Sequence, residues 1–255
     1  MNDKLKTKIQ EVIGEVYSVT FLDEQGCTSE VRKLNTGKGL YLLKSSFKEK
    51  YRPWLESEAQ LLEKLNHKGM AVPHYYGFIK EKDSSHLLMS FEKGMTLTAA
   101  LKAATSLSEK KTLIRSFGEF LHDFHEMNPL DSFEKKDDWL DDQLDKAKNY
   151  VENGQADGTI QLLEKLMSHK PLPVKQTMIH GDCTIDNVLV VDGKVKLFID
   201  VAGMTVGDPR YDESLAIRKF LNNPEYINSF YEGYKRYKVT NAEFQYFNEG
   251  LYEFF

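Results

Sequence analysis

Between Met178 and Asp212 the chain reads MIHGDCTIDNVLVVDGKVKLFIDVAGMTVGDPRYD. It sets Asp182, Asp186, Asp200, Asp208 and Asp212, with His180 and Asn187, beside apolar runs that read as buried strands. Burying carboxylates without partners is costly, so something cationic is expected among them. Asp182 precedes Asn187 by five positions, and Asp200 follows Asn187 by thirteen. A loop of that length can aim a carboxylate at a substrate while its far end turns an amide oxygen toward a metal. VLVVDGKVKLFI reads as a hairpin turning at Asp192-Gly193, which sets Asn187 and Asp200 at the open ends of paired strands. An amide and a carboxylate, all oxygen donors, suit Mg²⁺ held jointly with nucleotide phosphates. An Asp base with Asn and Asp metal ligands is the equipment of phosphoryl transfer. The competing reading is three unrelated loop-capping residues, and the ordered context on both sides favours the chemistry.

The elements that must position this set divide in two. EVYSVTFL, EVRKL and LYLLKS are β-branched or apolar runs separated by DEQGCTS and NTGKG, a strand meander over 15–46. PWLESEAQLLEKLNHKG follows as a helix, with Pro53 at its start and Gly69 as its stop. AVPHYYGFIKEKDSSHLLMSFEKG supplies two more strands, giving about five strands and one helix. From there the pattern turns helical. SEKKTLIRSFGEFLHDFHEM places Leu113, Phe117, Leu121 and Phe124 on one stripe, with Ser108 as N-cap. Acidic DDWLDDQLDKAKNYVENG, GTIQLLEKLMSHK, DESLAIRKFL, PEYINSFYEGYKRY and NAEFQYFNEGLYEFF read as further helices. The expected fold is α+β in two lobes: a β-rich lobe over 1–92 and a mainly helical lobe over 93–255, with a cleft between them.

The chain has 255 residues, 41% of them hydrophobic, enough for a real core. A net charge of −5 gives no footprint of nucleic-acid binding. Two widely separated cysteines without CxxC spacing argue against a disulfide framework or a zinc site. The first sixteen residues lack the apolar core of a signal peptide, and no run approaches a membrane span. The expectation is a cytoplasmic protein with no nucleic-acid or membrane partner, monomeric or weakly dimeric. GKG at 37–39 lacks P-loop spacing and reads as a turn. His122 and His125 read as end-of-helix residues, Asp212 as a tie on the acidic loop or a helix cap, and Cys183 as no nucleophile.

HGDCTIDNVLV followed by FID and GDPRYD resembles the signature of the aminoglycoside phosphotransferases and their choline-kinase-like relatives, which share the protein-kinase fold; Gly181 stands where protein kinases carry Arg. The resemblance extends over nearly the whole chain. It implies that Asp182 accepts or orients the proton of the substrate hydroxyl, and that Asn187 and Asp200 hold Mg²⁺. YLLK puts Lys44 where the family's phosphate-binding lysine sits, and ESEAQLLEKL makes Glu58 its ion-pair partner. EQGCTSEV would be the phosphate-covering turn, with Gly26, Thr28 and Ser29 nearest. Met89, Ser90 and Phe91 would form the hinge beside the base of the co-substrate, ATP or GTP. The family's Asp-hydrophobic-Gly departs here to Asp200-Val201-Ala202.

The tail NEGLYEFF is similar to that of the 3′-type enzymes, which implies that Glu253 and the α-carboxylate of Phe255 line a polycationic substrate's site. Asp157, Glu225 and Glu249 are further candidates by position. The insert before the acidic loop is poorer in acids than the family's, which leaves the acceptor open. The expected activity is phosphorylation of an aminoglycoside 3′-hydroxyl, conferring resistance. The alternatives are another small hydroxylated metabolite or a macrolide, or a nucleotide-binding sensor of kinase fold with little catalysis.

Overall fold

The computed structural model describes residues 2–22, 25, 28–129, 133 and 139–255. The chain divides into two compact units, Met1–Lys93 with Leu197–Ala202, and Gly94–Lys196 with Gly203–Phe255.

In the first unit, α1 (Asp3–Ile13) is capped by the Asn2 side chain, which accepts the Leu5 amide, and it buries Leu5, Ile9 and Ile13. The sequence reading passed over this helix, whose buried stripe is only three residues wide. Next come β1 (Val16–Phe21), β2 (Glu30–Thr36) and β3 (Gly39–Ser46), a 3-10 turn at Glu49–Tyr51, α2 (Arg52–Asn66), β4 (Tyr75–Lys80) and β5 (Ser85–Ser90). The strands form an antiparallel sheet in the order β1-β2-β3-β5-β4. Register puts Leu34 opposite Tyr41, and Leu43 opposite Leu88, on the face that packs on α1 with Val16. Lys44, opposite Val31 and Leu87, points from the other face, because successive strand residues alternate sides. α2 buries Leu55, Glu58, Ala59, Leu62 and Leu65 on one stripe, so an acid lies within an apolar face.

The second unit opens with β6 (Met95–Thr96) and α3 (Leu97–Ala103), a short helix capped by Thr96 that the sequence reading missed. α4 (Leu107–Glu126) starts two residues earlier than a cap at Ser108 implies. Ser106, not Ser108, is its cap, because the Ser106 side chain accepts the Glu109 amide. α5 (Trp139–Glu152), α6 (Ile160–Ser168) and β7 (Thr177–Ile179) precede the hairpin strands β8 (Val188–Val191) and β9 (Lys194–Phe198). At the hairpin's turn Asp192 and Gly193 take φ values of 50° and 76°, the left-handed pair that a two-residue hairpin turn requires. β6, β8 and β9 make one small sheet, and β7 pairs antiparallel with β10 (Thr205–Gly207). α7 (Pro209–Ile217), α8 (Pro224–Gly233) and α9 (Asn241–Phe247) follow. The expected last helix is broken at Gly250 into α9 and a 3-10 turn, Leu251–Phe254.

Among the described residues two packed regions stand out in this unit. α4 and α8 cross at glycines: a Cβ on Gly118 would lie 2.2 Å from the Phe230 carbonyl oxygen, and one on Gly233 would lie 2.2 Å from that of Arg115. Trp139, Leu144, Leu163, Leu166, Tyr211, Leu215, Phe247, Leu251 and Phe254 form a second cluster that anchors the C-terminal turn. No described helix is long and apolar enough to cross a membrane.

Candidate active site

In the first unit Lys44 is the centre of an ion triad. Its Nζ lies 2.7 Å from Glu58 Oε2 and 2.8 Å from Asp200 Oδ1. Burial works against the Lys44 charge, but Glu58 and then Asp200 outweigh it and hold the ammonium above the ordinary lysine value. Burial pushes the Glu58 carboxyl up, with Lys44 pulling the other way. The direction that governs the group is the ammonium's, since two carboxylates converge on one cation. Asp200 arrives on a segment tied to this unit by the Phe198 amide, which donates to the Ala71 carbonyl at 3.0 Å. Its backbone sits at φ 57°, a conformation Asp tolerates better than most residues and one that tends to mark functional sites. The Asp200 side chain is 46% exposed, against 9% and 4% for Lys44 and Glu58, so the triad presents its outermost carboxylate to solvent.

The turn between β1 and β2 is braced by Gln25, a residue the sequence reading did not single out. Its Nε2 donates to the carbonyls of Leu22 and Val31, and its Oε1 accepts the Val31 amide at 2.8 Å. Thr28 is partly exposed, Ser29 is buried, and the Thr28 carbonyl accepts from Ser46 Oγ at 3.3 Å. Gly26 lies outside the described residues. Met89 is buried and paired with Leu42 and Tyr75, while the Ser90 amide donates to the His74 carbonyl and the Phe91 amide to that of Leu40. The expected hinge is thus the end of β5 and the residue after it.

In the second unit Asp182 sits on the loop between β7 and β8. Asn187, directly before β8, donates through Nδ2 to Asp182 Oδ2 at 2.8 Å and to the Asp182 carbonyl at 2.9 Å. The Asp182 amide donates to His180 Nδ1 at 3.2 Å, so the fully buried His180 braces the loop. Beneath it Asp212, also fully buried, accepts the His180 amide on Oδ2 at 2.6 Å and the Gly181 amide on Oδ1 at 2.9 Å. Asp212 therefore ties the loop, and Asp208 caps α7. His125, at the end of α4, completes the support. Its Nε2 lies 3.3 Å from Asp212 Oδ2 and its Nδ1 2.9 Å from the Tyr234 hydroxyl. Burial, opposed by Asp212, lowers the His125 pKa, so the ring is neutral. The two bonds then assign Nε2–H as donor to Asp212 and Nδ1 as acceptor from Tyr234. Burial likewise pushes the Cys183 thiol well up, which leaves it inert beside Asp182.

Gly181 explains itself at this loop. It takes φ 82°, and a Cβ there would lie 2.4 Å from the Gly203 carbonyl oxygen. The arginine of protein kinases has no room at this position.

The C-terminal turn brings some of the expected substrate residues together. The Gly158 amide, next to Asp157, donates to the Glu253 carbonyl at 2.9 Å, and the Phe255 ring meets Tyr150 edge-on at 5.8 Å. Asp157, Glu253 and Phe255 are all exposed. Glu225 is elsewhere, in the first turn of α8, where it pairs with Lys111 at 3.3 Å. Lys111 lies fourteen residues before His125 on α4, about 21 Å of helix. Glu249 is exposed after α9. The sequence reading took Glu253 and Phe255 from this tail and passed over Tyr252, whose hydroxyl donates to Asp182 Oδ1 at 3.1 Å. A tyrosine among tail aromatics carries no signal of such a contact. Burial and then Asp182 push the Tyr252 pKa up to about 12, so the hydroxyl stays a donor.

For a divalent cation the donor chemistry fits. Asn187 uses its amide N–H groups on Asp182, so Oδ1 is what it offers. Among the described residues no three His, Cys, Asp or Glu side chains gather as a protein-only metal site. Mg²⁺ shared with nucleotide phosphates takes only one or two protein oxygens.

Comparison with known proteins bears on the family and the fold. The phosphotransferase enzyme family (APH) matches residues 22–243. An aminoglycoside 3′-phosphotransferase of Staphylococcus aureus is 26% identical over 226 residues, covering 82% of this chain and 84% of its own. One from Enterococcus faecalis is 26% identical over 177 residues, 64% and 66% of the two chains. Among solved structures, an aminoglycoside 3′-phosphotransferase of type VIII superposes with a TM-score of 0.76 at 18% identity, covering both chains completely. The aminoglycoside phosphotransferase APH(3'')-Id of Streptomyces rimosus, in complex with ADP and streptomycin, gives 0.75 at 16% identity over 100% and 99% of the chains. The fold is thus the α+β, protein-kinase-like one, and the chain, matched by that family's model over residues 22–243, belongs to the phosphotransferase enzyme family.

Proposed function

We propose that this enzyme moves the γ-phosphate of ATP or GTP to a hydroxyl of a small polycationic acceptor, an aminoglycoside, at its 3′-hydroxyl. The observation that carries the reading is Asp182, partly exposed yet held by Asn187 on a loop clamped by buried Asp212. A carboxylate fixed this way suits a reacting hydroxyl better than a structural role, which would have buried it. Lys44 contacts the nucleotide phosphates and Glu58 orients it. Thr28 and Ser29, with Gly26, cover the phosphates, and Met89, Ser90 and Phe91 border the base. Asn187 and Asp200 would hold Mg²⁺, which supplies charge neutralisation on the phosphates when bound. Asp182 orients the acceptor oxygen in line with the phosphorus and accepts its proton as the bond to phosphorus forms. Exposed Asp157, Glu253 and the Phe255 carboxylate match ammonium groups, the 26% identical 3′-enzymes being the support for that acceptor class. Glu249 is proposed with them on its exposure, and Glu225 on sequence position alone.

The test is ADP and GDP release with Mg²⁺, run with kanamycin-type and neomycin-type aminoglycosides and without acceptor. Release that depends on the aminoglycoside supports the reading. Nucleotide binding with no aminoglycoside-dependent release overturns the acceptor and sends the search to other hydroxyl compounds.

A further inference from the structure

Tyr252 is presented to Asp182 by a turn fixed on both sides. Leu251 and Phe254 are 0% and 1% exposed, and the Glu253 carbonyl accepts the Gly158 amide. Gly250, just before the turn, is packed so closely that a Cβ would lie 2.5 Å from the Tyr246 carbonyl oxygen. The Tyr252 ring is also held, with the Arg218 guanidinium 5.1 Å from its centroid on one side and the Tyr211 ring at 6.5 Å. Asp182 then has a donor on each carboxylate oxygen, Tyr252 on Oδ1 and Asn187 on Oδ2. One comes from its own loop and the other from a segment seventy residues away.

A carboxylate has about four acceptor positions, and one bond on each oxygen fixes its plane. Without the bond on Oδ1 the group is freer to turn about its Cβ–Cγ bond, since a torsion of this kind is broad. We propose that Tyr252 is a positioning residue for phosphoryl transfer, its hydroxyl setting the plane of the Asp182 carboxylate from the C-terminal turn. This rests on the reading of Asp182 as the group that aligns the acceptor hydroxyl. The rigidity of the turn argues against Tyr252 as a plug that the acceptor displaces, because a plug must leave and this turn is anchored at both ends.

The test uses the full chain with Tyr252→Phe, which keeps the ring beneath Arg218 and removes only the hydroxyl. With kanamycin and Mg·ATP, kcat falls about tenfold, the value of one charge-assisted hydrogen bond lost in the transition state. KM for both substrates stays within about twofold and the melting temperature within about two degrees, on the loss of one part-exposed hydroxyl. An unchanged or raised kcat overturns the inference, as does a loss confined to KM. The second arm needs no activity. In protein labelled with tyrosine ¹³Cζ, the resonance missing from Tyr252→Phe belongs to Tyr252, and Asp182→Ala shifts it. No shift overturns the inference. If the wild-type protein phosphorylates no aminoglycoside, the proposed function fails, and the labelled-tyrosine arm still decides whether Tyr252 holds Asp182.

Discussion

Asp212→Asn is the sharpest test of how this loop is built. The carboxylate accepts two backbone amides, from His180 at 2.6 Å and Gly181 at 2.9 Å, and faces His125 Nε2 at 3.3 Å, with the side chain fully buried. Asparagine has the same shape but one acceptor oxygen, so one donor must meet an NH₂ group. A hydrogen bond to a charged acceptor is worth about 1.5–3 kcal/mol, and an unsatisfied buried donor costs about 1–3. The neutral amide recovers part of the penalty of burying a charge, so the net loss is about 3 kcal/mol. For a chain of this size that lowers the melting temperature by about 6–12 °C. Asp182 begins at the very next peptide after Gly181, and a displacement near 1 Å costs on the order of 10² in rate. The assay pairs thermal unfolding with kcat measured well below the melting temperature, where loss of folded enzyme contributes nothing. A variant whose melting temperature is unchanged and whose kcat lies within threefold of wild type would refute the clamp.

Asp182→Asn lowers kcat by roughly 10²–10⁴ while nucleotide affinity holds, read by steady-state kinetics with a fluorescent-nucleotide titration. Lys44→Met leaves Glu58, 3% exposed, without its cation; the expected result is about 3 kcal/mol of lost stability with a raised nucleotide KM, and no change in either contradicts the triad. Gly181→Ala drives a methyl to 2.4 Å from the Gly203 oxygen at φ 82°, so about 3 kcal/mol is lost, measured by denaturant unfolding. Glu213 is wholly buried, with Oε1 accepting from Tyr231 and the Val239 amide and Oε2 unpartnered, and burial pushes its pKa up to about 8. Below the unfolded value both states keep the proton. Between there and about 8 the unfolded chain releases a proton that the folded chain holds, so stability falls as pH rises, by up to about 5 kcal/mol. Glu213→Gln removes that slope, and parallel melting curves from pH 5 to 8 for the two proteins refute it.

The sequence by itself determined what is local. Asp182 and Asn187 share one loop, so five-residue spacing was enough to expect that they work together, and they touch. The hairpin was legible at Asp192-Gly193 because a left-handed pair demands such residues. Glu58 was expected from the family resemblance, and the structure buries it within the apolar stripe of α2. Less was legible at helix ends: Ser108 reads as the cap of α4, and the bond from the Glu109 amide gives that role to Ser106. A helix continuing through Gly250 looked sound, but the backbone leaves the helical region there, at φ −117° and ψ −82°.

Tertiary structure alone decided the pairings across long stretches of chain. Lys44 meets Asp200 from 156 positions away, His125 meets Asp212 from 87, and Tyr252 meets Asp182 from 70. None of these leaves a trace in local pattern, because the free energy that sets them is packing. The stripe of α2 turns Glu58 to Lys44, the cluster around Leu251 and Phe254 fixes the last turn, and the Gly118–Gly233 crossing aligns α4 with α8. Spacing in the sequence says which side chains can do chemistry, and burial of distant apolar surface decides which of them meet.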